Sequence, residues 1–263
     1  MSIAKVVSFG IAILATAGIV PCEVRAQGPF APSAGWSLAV AGGAVHGARR
    51  DETISPLRFI GSGPAGALEL TRVSEQGRLE FALAGNSANL TSEATASDER
   101  VWNGTFSVRA LRSIGTLHGV RLSAGIDARV SYDDTFHRFY LSGVASTAYR
   151  LAMVTAGPAL IVEKATAWGS LLIRATVPVA GVVDHPYSDV KTSYAPLRAS
   201  FVSLSRLRQT NADLSYTSAN HQRVRVLILA RTNVLSFRDE QPVHAISNSL
   251  MLGLTVQHRS PSR

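Results

Sequence analysis

The fold this sequence predicts is all-β: one antiparallel up-and-down β-barrel of about twelve strands. Three observations predict it. Apolar residues recur with period two rather than at three and four residues. Charged residues are only 17% of the 263 while hydrophobic ones reach 46%. Long and short connections alternate through the first part of the chain. No boundary in composition divides the chain, so one domain is the simplest organisation.

Residues 1–26 read as a leader: Lys5 supplies a positive start, Val6 to Val20 an apolar core, and Val24-Arg25-Ala26 a cleavage segment. The apolar run, about 15 residues, is shorter than the roughly 20 a spanning helix needs, so a signal peptide is expected with 27–263 as the barrel domain. The single cysteine, Cys22, lies within this leader. Pro21 before it stands where a lipoprotein box carries a small residue, so lipidation is not expected.

Beyond the leader the strands follow in order, near 36–46, 65–74, 77–86, 103–112, 118–132, 136–149, 152–163, 167–181, 194–208, 211–218, 222–236 and 244–258. The cleanest alternation is Val120 to Tyr132. Val120, Leu122, Ala124, Ile126, Ala128, Val130 and Tyr132 share one face; Arg121, Ser123, Gly125, Asp127, Arg129 and Ser131 share the other. That length exceeds the about 9 to 11 residues, tilted at roughly 45°, with which a strand crosses a bilayer core. Leu79, Phe81 and Leu83 oppose Arg78, Glu80 and Ala82; Leu171, Ile173, Ala175 and Val177 oppose Ser170, Leu172, Arg174 and Thr176. Val224, Val226, Ile228 and Ala230 oppose Arg223, Arg225 and Arg231, and Leu250, Leu252, Leu254 and Val256 oppose Ser249, Gly253, Thr255 and Gln257. An even count puts both chain ends on one side.

Connections from His46 to Pro64 and Gly85 to Trp102 read as long, and Ser74 to Gly77 and Ser113 to Leu117 as short. Asp133-Asp134 and Glu163-Lys164 read as compact turns. The alternative fold is a soluble periplasmic β-sandwich or small barrel, which alternates equally but buries the apolar face. Under that alternative Leu122, Ile126, Leu252 and Leu254 point inward; in a membrane barrel they point outward.

Leader, alternating strands and loop rhythm together resemble bacterial outer-membrane β-barrel proteins, a likeness of class that covers nearly all of the mature chain. It implies a transmembrane barrel in the outer membrane, inserted by the outer-membrane assembly machinery and surrounded by outer-membrane lipid, with the periplasm as the location under the soluble alternative. Two features depart from the pattern. The chain ends Val256-Gln257-His258-Arg259-Ser260-Pro261-Ser262-Arg263 rather than on an aromatic residue, and aromatics are sparse at 7%.

Removing Lys5, Arg25 and Glu23 with the leader leaves 24 basic side chains against 17 acidic ones. Arg109, Arg121, Arg129, Arg174, Arg206 and Arg225 fall on the polar side of strands, with Glu80, Asp127 and Asp213 as the inward acids. Arg109, Arg121, Asp127, Arg129, Arg174, Arg206 and Arg225 are thus the candidate lumen residues. Their functional reading is attraction of small anionic solutes, since guanidinium groups hold anions bidentately. Their structural reading is pairing with lumen acids and water.

Nucleic-acid binding is not expected, because the charge is scattered along strands and the leader exports the chain. A lipid-cleaving enzyme needs a serine beside a histidine. The spacing that places both on one strand face occurs only at His258-Arg259-Ser260, while His244 and Ser247 fall on opposite faces. His221 with a serine on another strand stays open, and no catalytic residue is assigned. Asp133-Asp134 and Asp239-Glu240 supply too few oxygens for calcium, so neither metal nor cofactor is expected. Val183-Asp184-His185-Pro186-Tyr187 reads as a strand end blocked by proline. The function expected is therefore a barrel that is structural or passes small solutes, with a membrane-embedded esterase or a soluble ligand-binding barrel as alternatives.

Overall fold

The computed structural model describes residues 35–52, 55–74, 76–92, 94, 97–139, 145–184, 199–219, 224–238 and 242–259. The leader, His185-Pro186-Tyr187, His221, Asp239-Glu240 and Ser260 lie outside the described residues.

Among the described residues there are twelve strands: β1 (Gly35–Asp51), β2 (Ser55–Val73), β3 (Gly77–Thr91), β4 (Ser97–Leu117), β5 (Val120–Phe139), β6 (Ala145–Thr166), β7 (Gly169–Thr176), β8 (Ala180–Asp184), β9 (Ala199–Ser203), β10 (Leu207–Ser218), β11 (Val224–Phe237) and β12 (Val243–Arg259). All pair antiparallel in a single sheet. Ten of them form a closed circuit, β1 to β7 followed by β10 to β12, with β1 returning to β12 in unbroken register from Gly35↔Arg259 to Asp51↔Val243. Closure removes both edges of this ten-strand circuit.

β8 and β9 extend the wall at one rim. β8 carries β7 onward along β6 past Pro178, which has no N–H to give the ladder. The N–H groups of Val177 and Val179 donate to Pro158 and Ala156 at 3.2 and 2.9 Å, so the pairing with β6 survives the interruption. The partition of the chain therefore differs from the pattern-based one. The expected strand 136–149 divides between the end of β5 and the start of β6, and the run 194–208 holds both β9 and the start of β10.

Gly35, Arg259 and the strand ends where β2 meets β3, β4 meets β5, β6 meets β7 and β10 meets β11 lie at one rim, here the terminal rim; the opposite ends of these strands lie at the far rim. The connections expected to be long are mostly strand. β1 runs to Asp51 and β2 starts at Ser55, and β3 and β4 leave only residues 92–96 between them. Asp133-Asp134 lies inside β5 and Glu163-Lys164 inside β6, so neither is a turn. At the β4–β5 hairpin, His118 and Gly119 both take positive φ, 49° and 75°, the conformation a two-residue turn needs to match the twist of its strands. Gly119→Ala is expected to cost about 1–2 kcal/mol and His118→Asn to stabilise, both read as shifts in the denaturant midpoint.

The outward face is an apolar band, while the inward face mixes buried charges with apolar clusters. Outward-facing Ile126, Leu252 and Leu254 are 40%, 64% and 53% exposed, and Leu122 shares their face. This is the inverse of a soluble barrel. Aromatics edge the band: Trp36 under the Arg72 guanidinium and Trp168 toward the terminal rim, Trp102 under Arg100 and Phe136 beside Arg138 toward the far rim. The inner wall is tightly curved where β1 meets β12. A Cβ added at Gly43 would lie 2.0 Å from the Leu250 carbonyl oxygen, and one at Gly253 2.1 Å from that of Val40. Glycine at these inward positions lets the closing strands coil together.

Candidate functional site

Alternation decides which side chains meet in the lumen. Inward positions on β2, β3, β4, β5, β6, β7, β10 and β11 include Glu69, Arg78 and Glu80, Arg109, Asp127 and Arg129, Glu163, Arg174, Asp213 and Arg231. Arg174 is the hub. Its Nη2 donates to Glu69 Oε1 at 2.8 Å and to Glu80 Oε1 at 3.1 Å, and its Nη1 donates to Glu69 Oε2 and Asp213 Oδ2, both at 3.1 Å. Since β7 neighbours neither β2 nor β3 in the wall, the bonds to Glu69 and Glu80 cross the lumen, whereas Asp213 is the register partner of Arg174 on the adjacent β10.

The network spreads from there. Arg109 Nη1 donates to Glu80 Oε2 at 3.1 Å and its Nε lies 2.8 Å from Asp127 Oδ1. Arg129 Nη2 sits 3.5 Å from Asp127 Oδ2 and donates to Thr176 Oγ1 at 3.4 Å. Arg231 grips Asp213 with two donors, Nε at 2.9 Å and Nη2 at 3.3 Å. Arg78 bridges Glu80 at 3.3 Å and Glu163 at 3.5 Å. Among the described residues five arginines meet five carboxylates here, so the belt is neutral although the chain is basic. Glu80 is wholly buried and the Arg174 and Asp213 side chains are 3% and 5% exposed. Charges so far from water persist only when paired.

Above the belt, toward the far rim, Arg49 Nη1 donates across the lumen from β1 to Asp133 Oδ2 on β5 at 2.7 Å. Beside it His137 Nδ1 lies 3.0 Å from Glu99 Oε1, and the ring of Phe59 stands edge-on to the imidazole with centroids 4.9 Å apart. Apolar clusters pack on either side, one around Val45, Phe59 and Leu90, the other around Leu151, Val202 and Phe237. A cavity of about 90 Å³ lies on the terminal side of the belt, against Ser37, Thr71, Thr217 and Thr255, and one of about 50 Å³ on the far side, against Asn86, Asn103, Asn211 and Asn233. Each has room for a few water molecules. The belt separates them.

Of the candidate lumen residues, Arg109, Asp127, Arg129 and Arg174 come together in the belt. Arg121 and Arg225 face inward nearer the terminal rim, half-buried, outside these pairs. Arg206 does not face the lumen: it is exposed in the turn Leu204–Arg206 between β9 and β10. Glu69, Arg78, Glu163, Arg231, Arg49 and Asp133 were not candidates. Arg78 and Arg231 stand on the polar face of clear alternations, a signal that was available; Asp133 was masked by its reading as a turn.

No protein-family model and no curated protein sequence matches the chain. Solved structures do. The outer membrane protease OmpT from Escherichia coli superimposes with a TM-score of 0.56 at 10% identity, over 85% of this chain and 97% of that one. The translocator domain of the autotransporter NalP from Neisseria meningitidis gives 0.45 at 6% identity, over 86% and 89%. Neisserial surface protein A gives 0.36 at 11%, over 86% and 98%. At such identities the likeness concerns architecture alone. The chain has the closed antiparallel fold of the outer-membrane β-barrels.

Proposed function

We propose that this chain is a structural protein of the outer membrane, a barrel whose lumen is closed and which conducts no solute. The single observation carrying this reading is the belt of ion pairs that crosses the lumen from β7 to β2 and β3, backed by apolar packing on its far side. Ten strands enclose little more than the eight whose side chains fill a barrel, and far less than the 16 or more of aqueous pores. The outward apolar band and its aromatic edges supply the lipid contact, and the leader, cleaved after Ala26, supplies export to the assembly machinery. The five arginines of the belt act as packing charges, matched by its five carboxylates.

Membrane fractionation with a heat-shift assay of the detergent-solubilised band is expected to recover a folded barrel in outer membranes. In planar bilayers with concentrated potassium chloride, the protein is expected to show no stepwise conductance. Anion-selective steps would overturn the closed reading and restore Arg109, Arg129 and Arg174 as solute ligands.

A further inference from the structure

The outer wall carries a pair that the lumen does not use. His46 Nδ1 on β1 lies 2.8 Å from Ser62 Oγ on β2, and both side chains are exposed on the outward face. Their positions are register partners, and the same cross-strand row continues through Asn89 on β3, Asn248 on β12 and Thr232 on β11. Thr232 Oγ1 donates to Asn248 Oδ1 at 2.9 Å. Polar groups on several adjacent strands therefore interrupt a wall that is otherwise greasy.

Depth gives the row its meaning. Outward from Trp36, β1 shows Leu38, Val40, Gly42 and Ala44 before His46; β12 shows Val256, Leu254, Leu252 and Leu250 before Asn248. Ten residues of strand at roughly 45° rise about 23 Å, close to the height of a barrel's apolar band. His46 and Ser62 thus stand where the band ends on the far side, level with lipid headgroups and acyl esters. One rank further out, past Ala48, Ile60 and Ile246, the exposed side chains of Arg50, Arg58 and His244 form a second cross-strand row.

We propose that Ser62 and His46 form an esterase site on the lipid-facing wall, acting on long-chain acyl esters of phosphate-bearing lipid. With the imidazole proton on Nε2, Nδ1 accepts the Ser62 hydroxyl proton as Oγ attacks the ester carbonyl carbon. The tetrahedral intermediate collapses, the carbon–oxygen bond to the alcohol breaks, and the proton passes from Nδ1 to the leaving oxygen. Water then attacks the acyl-Ser62, giving its proton to Nδ1; fatty acid leaves and Ser62 Oγ recovers that proton. The sum is ester plus water to acid plus alcohol. Asn89, beside Ser62 in the row, is assigned as the amide donor to the oxyanion, and Arg58 as the guanidinium group that holds the lipid phosphate, flanked by Arg50, which pairs with Glu52 at 2.8 Å. The surface is reached from the membrane, so the site is independent of whether the lumen conducts.

The test uses the full chain folded in detergent, with fatty-acid release followed from phosphatidylglycerol micelles in one arm and from purified lipid A in the other. Release in either arm supports the site and identifies the lipid; release in neither overturns it. Ser62→Ala and His46→Ala are each expected to lower the rate at least about 100-fold while leaving the heat-shifted band unchanged. Arg58→Ala is expected to raise KM for the phosphate-bearing lipid more than it lowers kcat. A fluorophosphonate probe is expected to modify Ser62 and not the His46→Ala protein. Equal activity in the wild type and Ser62→Ala sinks the proposal.

Discussion

Arg174→Ala is expected to destabilise the folded barrel by about 3–5 kcal/mol, the range seen when one partner of a buried ion pair is removed. The cost does not come from three lost hydrogen-bond partners taken singly. It comes from leaving Glu69, Glu80 and Asp213 facing one another around a vacated centre, with Glu80 wholly buried. Arg109, Arg78 and Arg231 still touch two of these acids, but Glu69 loses both its bonds to guanidinium nitrogen. Arg174→Lys is expected to recover only part, because a single ammonium cannot reproduce the planar fork that reaches Glu69 with two nitrogens. The measurement is the urea midpoint in lipid vesicles.

A second substitution separates charge from packing. In the Arg174→Ala background, Glu69→Gln is expected to restore some stability, since it removes a charge that has no partner left; in the wild type the same change is destabilising. This reversal of sign is the signature of a coupled network. Independent costs that simply add would mean that water fills the lumen and screens the belt. The closed reading of the barrel would then lose its support.

How much of this was legible in the sequence depends on where each residue stands relative to the band. On β5, β7, β11 and β12 the apolar residues assigned to the outer face do face out, although the inward positions of β7 and β11 also hold Leu172, Leu227 and Leu229. The outer half of β2 was invisible. Gly61, Ser62, Gly63 and Pro64, at the far edge of the band, offer no alternation of apolar with polar side chains, yet the ladder with β1 continues in register. Asp133 read as a turn residue because its partner Arg49 is 84 positions away. Arg206 was assigned to the lumen by counting in twos, which fails across the turn where β9 gives way to β10. The histidine and serine of the wall are 16 residues apart, joined by a hairpin register that spacing along one strand does not capture.

Leu252→Arg tests the membrane reading itself, and its magnitude differs between the two settings in which a closed barrel can exist. Leu252 is 64% exposed and stands among Leu250, Leu254 and Val256 on the outward face of β12. In water, arginine at so exposed a position changes stability by no more than about 0.5 kcal/mol. At the middle of a bilayer it costs about 2–4 kcal/mol, falling to about 0–1 near the interface. The same substitution at Ile246, beyond the polar row of His46 and Asn248, is therefore expected to cost far less than at Leu252 when both are measured as denaturant midpoints in vesicles. A steep profile along β12 maps the band by energy and places Asn248 and His46 at its outer edge. A flat profile means that the apolar face meets water or protein instead of lipid, and the depth on which the wall site depends would vanish with it.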